Sequence, residues 1–553
     1  MMLSFFSKHY PYIFVIIQSQ TIEINMKRIT FNRRETAYFS DLANQINDNQ
    51  SALQKYIQVP FSLANFEQQI ELKKKSFSNA QRELLYTVVS KQMSAYSNFE
   101  KVNHNVELLK EDNTFTITAG HQLNMFGGPL YVIYKVMDAI RLAEELTKKY
   151  PSQNFVPVFW IATEDHDFEE INHLHLFHDT FSWESEQKGP VGRFSLNGIE
   201  GFKNDIKSKF DNNPEFSEFL DQFYKNHNLS EATTEFMMNL FGDYGIIILD
   251  ADDRSLKSSF APIMKRELES HFSEIEVGKT TAQLEEEGFH GQAMARPVNL
   301  FYIKDQFRAR IIPTENGDFE VGEETISKVE LLKDLENHPE RFSPNVILRP
   351  LYQEFILPNL CYLGGGGEMA YWLQFKGMFD QTEVPFPIIK VRNSVQWFDK
   401  STSKKIEKLN LKYTDVFESI HEVKKQFVID NAEEELDFSK LEEKANTFIQ
   451  ELENSIVVLD KGLEGYAKSE STKIQKQLDG IQQKLIRHQK KKHEDAMNQI
   501  DGIYSRLFPN NGLQERYDNM IPFLGKYGPK EFVGMVYDLI DPEEEGLILA
   551  IEE

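Results

Sequence analysis

The 553-residue chain holds a single cysteine, Cys361. That excludes an internal disulfide and any metal site built on several thiolates. Cys361 lies in the apolar run Leu360-Cys361-Tyr362-Leu363, so it reads as a buried thiol that packs like a small hydrophobe. A surplus of positive charge is missing as well: 61 Lys and Arg stand against 86 Asp and Glu, for a net charge of −25. Gripping a phosphate backbone needs the opposite balance, so no nucleic-acid partner is expected. Long apolar runs are also lacking. Ile13-Phe14-Val15-Ile16-Ile17 is too short to cross a bilayer, and no small-residue cleavage site follows it. No membrane partner is expected, and the chain reads as cytoplasmic. Met26-Lys27-Arg28-Ile29 looks like a more natural start, so residues 1–25 are expected to be a non-native or disordered extension from an upstream start codon. Finally, no zinc spacing such as HExxH accompanies His166, His173, His175 and His178, so no metal is expected.

What is present is the composition of a multidomain globular protein, 41% hydrophobic and 27% charged. The chain is organised around Thr114 to His173. Thr114-Phe115-Thr116-Ile117-Thr118 alternates as a strand does, and Gly120-His121-Gln122-Leu123-Asn124-Met125-Phe126-Gly127-Gly128-Pro129 follows as a loop. Leu130, Ile133, Tyr134, Met137, Ile140, Leu142 and Leu146 then recur at helical spacing, with Pro129 suited to the first turn. A second, wholly apolar strand, Val156-Pro157-Val158-Phe159-Trp160-Ile161, runs into Glu164-Asp165-His166-Asp167. Four ionisable side chains at the carboxyl end of a buried strand are costly unless used, and that edge of a parallel sheet is where ligands bind. The loop is neither GxGxxG nor Walker A and by itself decides nothing.

Residues 29–112 are mostly helical in pattern, and residues 180–240 read as a polar, irregular insertion. Gly245-Ile246-Ile247-Ile248-Leu249-Asp250 is a buried strand followed by Asp252 and Asp253; Asp252 either caps the next helix or faces a ligand. Of Arg296, Arg308 and Arg310, two are expected to face solvent. Glycines 364–367 precede a helix beginning at Glu368, where backbone N–H groups favour an anion. Pro387 to Ser394 reads as the last core strand, ending in Arg392 and Asn393. Two apolar stripes, Leu441 to Tyr466 and Ile474 to Leu485, flank a polar break at Lys468-Ser469-Glu470-Ser471. They suggest an antiparallel helical hairpin, with one continuous helix as the alternative. The basic run His488 to His493 reads as a solvated helix face. Gly546 to Ile551 reads as a terminal strand.

Several of these stretches carry a family resemblance. Gly120-His121-Gln122 with Gly127-Gly128-Pro129-Leu130-Tyr131, and Pro157 to Ala162 running into Glu164-Asp165-His166-Asp167, resemble the bacillithiol biosynthesis cysteine-adding enzymes, the BshC cysteine ligase family. Ser343 to Gln353, Gly364 to Leu373, and Leu507 to Arg516 agree in the same order. The resemblance implies an α/β fold: a Rossmann-like parallel-sheet core, inserted connective subdomains and a C-terminal coiled-coil hairpin that supports a homodimer. The expected division is an extension at 1–25, a helical part and first half of the core at 26–178, and insertions at 179–240 and 265–342. A core strand and helix at 241–264 separate the insertions. The second half of the core spans 343–400, the hairpin 401–515, and a segment packing back on the core 516–553.

The implied activity is ligation of L-cysteine to glucosaminyl-malate, the last step to bacillithiol. The implied catalytic residues are His121, Asp165, His166 and Asp167. The implied substrate contacts are Gly120, Gln122, Asn124, Gly128, Tyr131, Glu164, Arg349, Gly365, Gly366, Glu368, Tyr371, Arg392 and Asn393. Gln514, Glu515 and Arg516 are a candidate nucleotide contact. No cofactor is fixed by the sequence; ATP is a candidate. Two rival readings are a nucleotidyl transferase of the same core acting on another small acid, and a non-enzymatic dimeric scaffold.

Overall fold

The structure, a computed structural model, describes residues 26–49, 51–177, 179–225, 227–431 and 439–553. The expected extension, His178 and most side chains of the basic run after Arg487 lie outside the described residues.

The centre is a five-stranded sheet of β1 (Thr114–His121), β2 (Asn154–Ile161), β3 (Ile247–Asp250), β4 (Asn359–Gly364) and β5 (Ile388–Val391). The spatial order is β3-β2-β1-β4-β5, and every neighbouring pair is parallel. This is a Rossmann-like sheet: the chain moves outward from β1 to β3, then returns to place β4 on the other side of β1. The order reverses between β1 and β4, so the crevice beyond their carboxyl ends is the place the topology opens to a ligand. β1, β2 and β4 are buried along almost their whole length; β2 is accordingly apolar on both faces, and the buried Thr116 and Thr118 of β1 donate to Asn359 of β4. Helix α1 (Tyr131–Lys149) makes the first crossover and packs on β1 and β2. The later core helices are α2 (Arg254–Ser270), α3 (Arg349–Ile356) and α4 (Gly366–Gln374).

Residues 199–241 are not irregular. They form helices Ile199–Ser208, Pro214–Asp221 and Leu229–Phe241 around buried Phe202, Phe216, Phe219 and Phe236. The second and third are started by the side chains of Asn213 and Asn228. Each helix is too short to give a sustained periodic signal. The other insertion carries an antiparallel sheet of Leu300–Lys304, Phe307–Pro313, Phe319–Val321, Glu324–Ile326 and Phe342–Pro344. It stands over the carboxyl edge of the central sheet.

A third sheet places Leu547–Glu552 between two partners. It pairs antiparallel with Met26–Phe31 and parallel with Ser394–Phe398. Met26–Phe31 is therefore a strand at the start of a region whose pattern is otherwise helical. Beyond it, α5 (Ser439–Leu459) and α6 (Glu464–Lys492) pack against each other as a hairpin, and α7 (Glu494–Leu507) returns to the body. The reversal is at Asp460–Leu463, where the Asp460 carboxylate accepts from the Gly462 N–H at 2.8 Å. Lys468–Ser471, the expected break, lies inside α6. Phe448, Tyr466, Ile481 and Leu485 are exposed on the hairpin. Among the described residues no helix is long and apolar enough to cross a membrane.

Candidate active site

The carboxyl ends of β1, β2 and β4, together with the inserted antiparallel sheet, enclose a cavity of about 760 Å³. It lies at the reversal point of the strand order. Gly120, His121, Gln122, Glu164, Asp165 and His166 reach it from β1 and β2. Gly365 to Glu368, Tyr371, Arg392 and Arg516 reach it from the other side, and Lys135 and Tyr131 from α1.

The β1–β4 side is built around a lysine in the middle of α1. Lys135 Nζ donates to the Gly120 carbonyl at 3.0 Å and to Glu368 Oε2 at 2.6 Å. Glu368 also accepts from the Gly365 N–H at 2.7 Å and from the Tyr362 hydroxyl at 3.1 Å. The carboxylate thus caps its own helix and occupies the Gly365 amide, one of the N–H groups of the glycine run. Burial pushes the Glu368 carboxyl up, but Lys135 and the Gly365 amide outweigh it and leave it below its usual range. Burial also lowers Lys135. His121 Nε2 lies 3.1 Å from the Tyr131 hydroxyl. Burial, helped by the charge of Lys135, pulls His121 down to about 3. Its imidazole is neutral across the physiological range and acts as a hydrogen-bonding group.

That shift predicts a pH effect on stability. Below pH about 6.5 the unfolded chain takes up a proton at this position that the folded chain refuses until about pH 3. Stability is therefore lost as pH falls through this window, by up to about 1.4 kcal/mol per pH unit. The difference in urea-unfolding free energy between wild type and His121→Gln should shift in favour of the variant from pH 7 to pH 5. A difference constant with pH would mean the ring titrates normally.

On the β2 side, Asp165 accepts from the His166 N–H at 2.7 Å and from Gln122 Nε2 at 2.8 Å, with Arg308 at 4.0 Å. Burial opposes its charge, but these partners outweigh it and hold the carboxyl well below the usual range. An Asp165 so placed orients its neighbours and is a poor proton acceptor. Arg308 donates to His166 Nδ1 and stacks 3.7 Å over Phe301. Glu164 pairs with the fully buried Lys257 at 2.5 Å; Lys257 also holds Asp252 at 2.7 Å, and Asp252 holds Arg193 at 2.7 Å. Burial works against the Lys257 charge, but its two carboxylates keep the ammonium above its usual range. Asp252 is thus part of an ion-pair chain, and the cap of α2 is Asp253.

Arg349 donates to Gln353 at 3.0 Å and lies 5.9 Å from the Trp160 ring and 5.5 Å from the Tyr362 ring. Arg296, Arg308 and Arg310 all line the cavity; Arg296 and Arg310 are exposed at its wall, as expected of two of the three, and Arg308 is partly buried. Among the described residues Arg296, Arg310, Arg349 and Arg516 make no ion pair with a carboxylate. Arg392 is committed: its fork pairs with Glu515 at 2.8 and 3.1 Å, and it stacks 4.9 Å from the Tyr131 ring.

Other expected residues lie outside the cavity lining. Asp167 is exposed beside it. Asn124 donates to the Glu170 carbonyl, and the Gly128 carbonyl is held by Asn519 Nδ2 at 2.8 Å. Phe126, Gly127 and Gly128 have φ of 47°, 75° and 73°, so this loop is a tight turn closed against the C-terminal segment. Asn393 ties together Asp138, Glu544 and Asp541. Gln514 accepts from the Trp397 N–H and is buried with Glu515. Cys361 is fully buried in β4, and burial pushes its thiol well up. Of the histidines, His175 stacks on Tyr517 at 4.0 Å. Among the described residues no group of His, Cys, Asp and Glu is placed to hold a metal ion.

Lys135 and Lys257 were not singled out in the sequence. Each sits inside a helix, and a lysine within an amphipathic pattern gives no sign that it points inward.

Family models match nearly the whole described chain. "Bacillithiol biosynthesis BshC, N-terminal Rossmann-like domain" matches residues 24–393, and "Bacillithiol biosynthesis BshC, C-terminal coiled-coil domain" matches residues 395–549. The chain is 41% identical over 514 residues to a protein of Flavobacterium johnsoniae named "Putative cysteine ligase BshC", covering 92% of this chain and 97% of that one. Proteins of the same name from Flavobacterium psychrophilum and Christiangramia forsetii are 39% and 38% identical, each covering 92% of this chain and 96% of the relative. A solved Campylobacter jejuni structure named as a putative arginyl-tRNA synthetase aligns with a TM-score of 0.19 at 9% identity, which carries no argument.

Proposed function

The chain belongs to the bacillithiol biosynthesis BshC family, and on that footing we propose that it is a ligase joining the carboxyl of L-cysteine to the amine of glucosaminyl-malate, the last step to bacillithiol. The observation that supports this most is the cation-rich cavity at the strand-order reversal of a protein whose net charge is −25. Such a cavity suits a dicarboxylate. Arg349, aimed by Gln353 and backed by Trp160 and Tyr362, pairs with a malyl carboxylate, and Arg516 reaches the same cavity from the Tyr131 side.

The amine must attack as a free base. The field that holds His121 neutral and lowers Lys135 also disfavours a bound ammonium, so the substrate amine sheds its proton on entry. His121, Tyr131 and His166 then serve as hydrogen-bonding groups for the amine and the cysteine carbonyl. The cysteine carboxylate is a poor electrophile and is activated as a phosphate-containing anhydride. Attack forms the C–N bond and breaks the C–O bond to phosphate, and the nitrogen loses its second proton to solvent. The homodimer belongs to the same proposal, with the apolar side chains exposed on the hairpin as its support.

The test is product formation, read by mass spectrometry after incubating the chain with cysteine and glucosaminyl-malate, with and without ATP. Bacillithiol appearing only with ATP is the expected result. Pyrophosphate exchange that needs no cysteine, and no bacillithiol, would replace the ligase reading with nucleotidyl transfer to another acid.

A further inference from the structure

The cavity holds more unpaired cations than a malyl group can use. Two backbone positions that the sequence suggested as substrate contacts already have partners within the protein. The Gly365 amide is taken by Glu368, and the Gly128 turn is closed against Asn519. The unpaired cations that remain fall on two walls: Arg349 and Arg516 on the central-sheet side, Arg296 and Arg310 on the side of the inserted sheet.

The second wall is a built feature. Arg308 and Arg310 alternate on strand Phe307–Pro313 and so share a face. Their guanidinium carbons stand 3.7 and 5.8 Å from the centre of the Phe301 ring, which limits their freedom. Arg308 has Asp165 and His166 as partners; Arg310 beside it has no carboxylate. The backbone of Arg296 is pinned from both sides by the buried Asn299. Asn299 Oδ1 accepts from its N–H at 3.0 Å, and Asn299 Nδ2 donates to its carbonyl at 2.7 Å. Asn299 is fixed in turn by Glu267 and Ser273. Two like charges that line one wall without a carboxylate partner among the described residues, in a chain with 86 acidic residues, mark a seat for an anion.

We propose that Arg296 and Arg310 form a second anion subsite, separate from the carboxylate subsite at Arg349, that takes the phosphoryl groups of the compound activating the cysteine carboxyl. This rests on the ligase reading of the same cavity. A cysteine carboxylate oxygen bonds to phosphorus as the bond from phosphorus to its leaving oxygen breaks. The amine later attacks the carbonyl carbon of this acyl phosphate, and the bond from that carbon to the phosphate oxygen breaks. In both steps the electron pair departs on a phosphate oxygen, and Arg296 and Arg310 hold that charge. The shared ligand chemistry is a phosphoanhydride, from a nucleoside triphosphate or a simpler phosphorylated donor.

The test is calorimetric titration of the full chain with pyrophosphate, ATP and malate, each alone. Arg296→Gln/Arg310→Gln is expected to weaken pyrophosphate about tenfold or more while malate binding is kept, and Arg349→Gln to do the reverse. Both residues of the double variant are exposed, so the fold should hold, with an unchanged melting midpoint. ATP binding tighter than pyrophosphate identifies the nucleoside triphosphate as the source; equal binding identifies the simpler donor. Wild type that binds no pyrophosphate overturns the proposal, as does a double variant that weakens malate as much as pyrophosphate. Absence of bacillithiol in the product assay, with the two subsites still separable by titration, would remove the ligase reading alone.

Discussion

Lys257→Met is expected to lower the unfolding free energy by about 3–5 kcal/mol, the usual cost of removing one partner from a buried ion pair. Lys257 is fully buried and is the common partner of Glu164 and Asp252, with a further hydrogen bond to the Glu340 carbonyl at 3.2 Å. Methionine fills much of the same volume, so the loss comes from charge and not from a void. Asp252 keeps Arg193, whereas Glu164 loses its close cation at the cavity edge. The variant should therefore hold a protonated Glu164 at neutral pH and regain part of its deficit as the pH is lowered. Urea unfolding followed by tryptophan fluorescence is a suitable readout, because Trp160 stands in β2 beside the cavity. A loss under about 1 kcal/mol would mean that water already solvates this cluster.

Arg349→Ala should reduce kcat/KM for glucosaminyl-malate by about 100- to 1,000-fold, equivalent to about 3–4 kcal/mol. The KM for cysteine should change little. The argument is geometric. Arg349 begins α3, its Nη1 is fixed by Gln353, and its guanidinium carbon lies close to both the Trp160 and Tyr362 rings, at 5.9 and 5.5 Å. Gln353 is itself held by Glu354, which pairs with buried Lys73 and accepts from Asn359. The guanidinium is thus oriented before any ligand arrives. Lysine at this position keeps the charge but loses the planar fork, so Arg349→Lys should recover only part of the activity. Equal losses toward both substrates would show that Arg349 supports the cavity as a whole and does not read the malyl group.

The parts of this site that were legible in the sequence are those where polar residues interrupt apolar strands. His121 at the end of β1 and Glu164-Asp165-His166 after β2 stand out because a strand buried on both faces has little other reason to end in ionisable side chains. Inward lysines on helices give no such contrast, which hid Lys135 and Lys257. Arg308 and Arg310 alternate as any half-exposed strand does, and only the position of the inserted sheet turns that face toward the cavity. Glu515 sits in a motif that suggested a ligand contact, yet its carboxylate is spent on Arg392, 123 residues away in sequence. Composition cannot show which of two charged residues will find the other. The hairpin was legible from its stripes, but its reversal was not. Asp460 and Gly462 make a turn inside a run of helix-like spacing, whereas the more polar Lys468–Ser471 simply forms a solvated stretch of α6.

The middle strand of the third sheet has a consequence for synthesis. Leu547–Glu552 is the shared partner of Met26–Phe31 and Ser394–Phe398, and those two strands do not pair with each other. A ribosome releases Met26 and Ser394 long before Leu547. The central sheet, whose strands all lie between Thr114 and Val391, can assemble while translation continues, but this three-stranded clasp cannot. Until residue 552 emerges, two strands wait with open edges and the helical arm has no sheet to join it to the body. A nascent chain stalled shortly before Leu547 should therefore carry a protected central sheet and a protease-sensitive arm, and the joining of that arm should follow the synthesis of Leu547–Glu552.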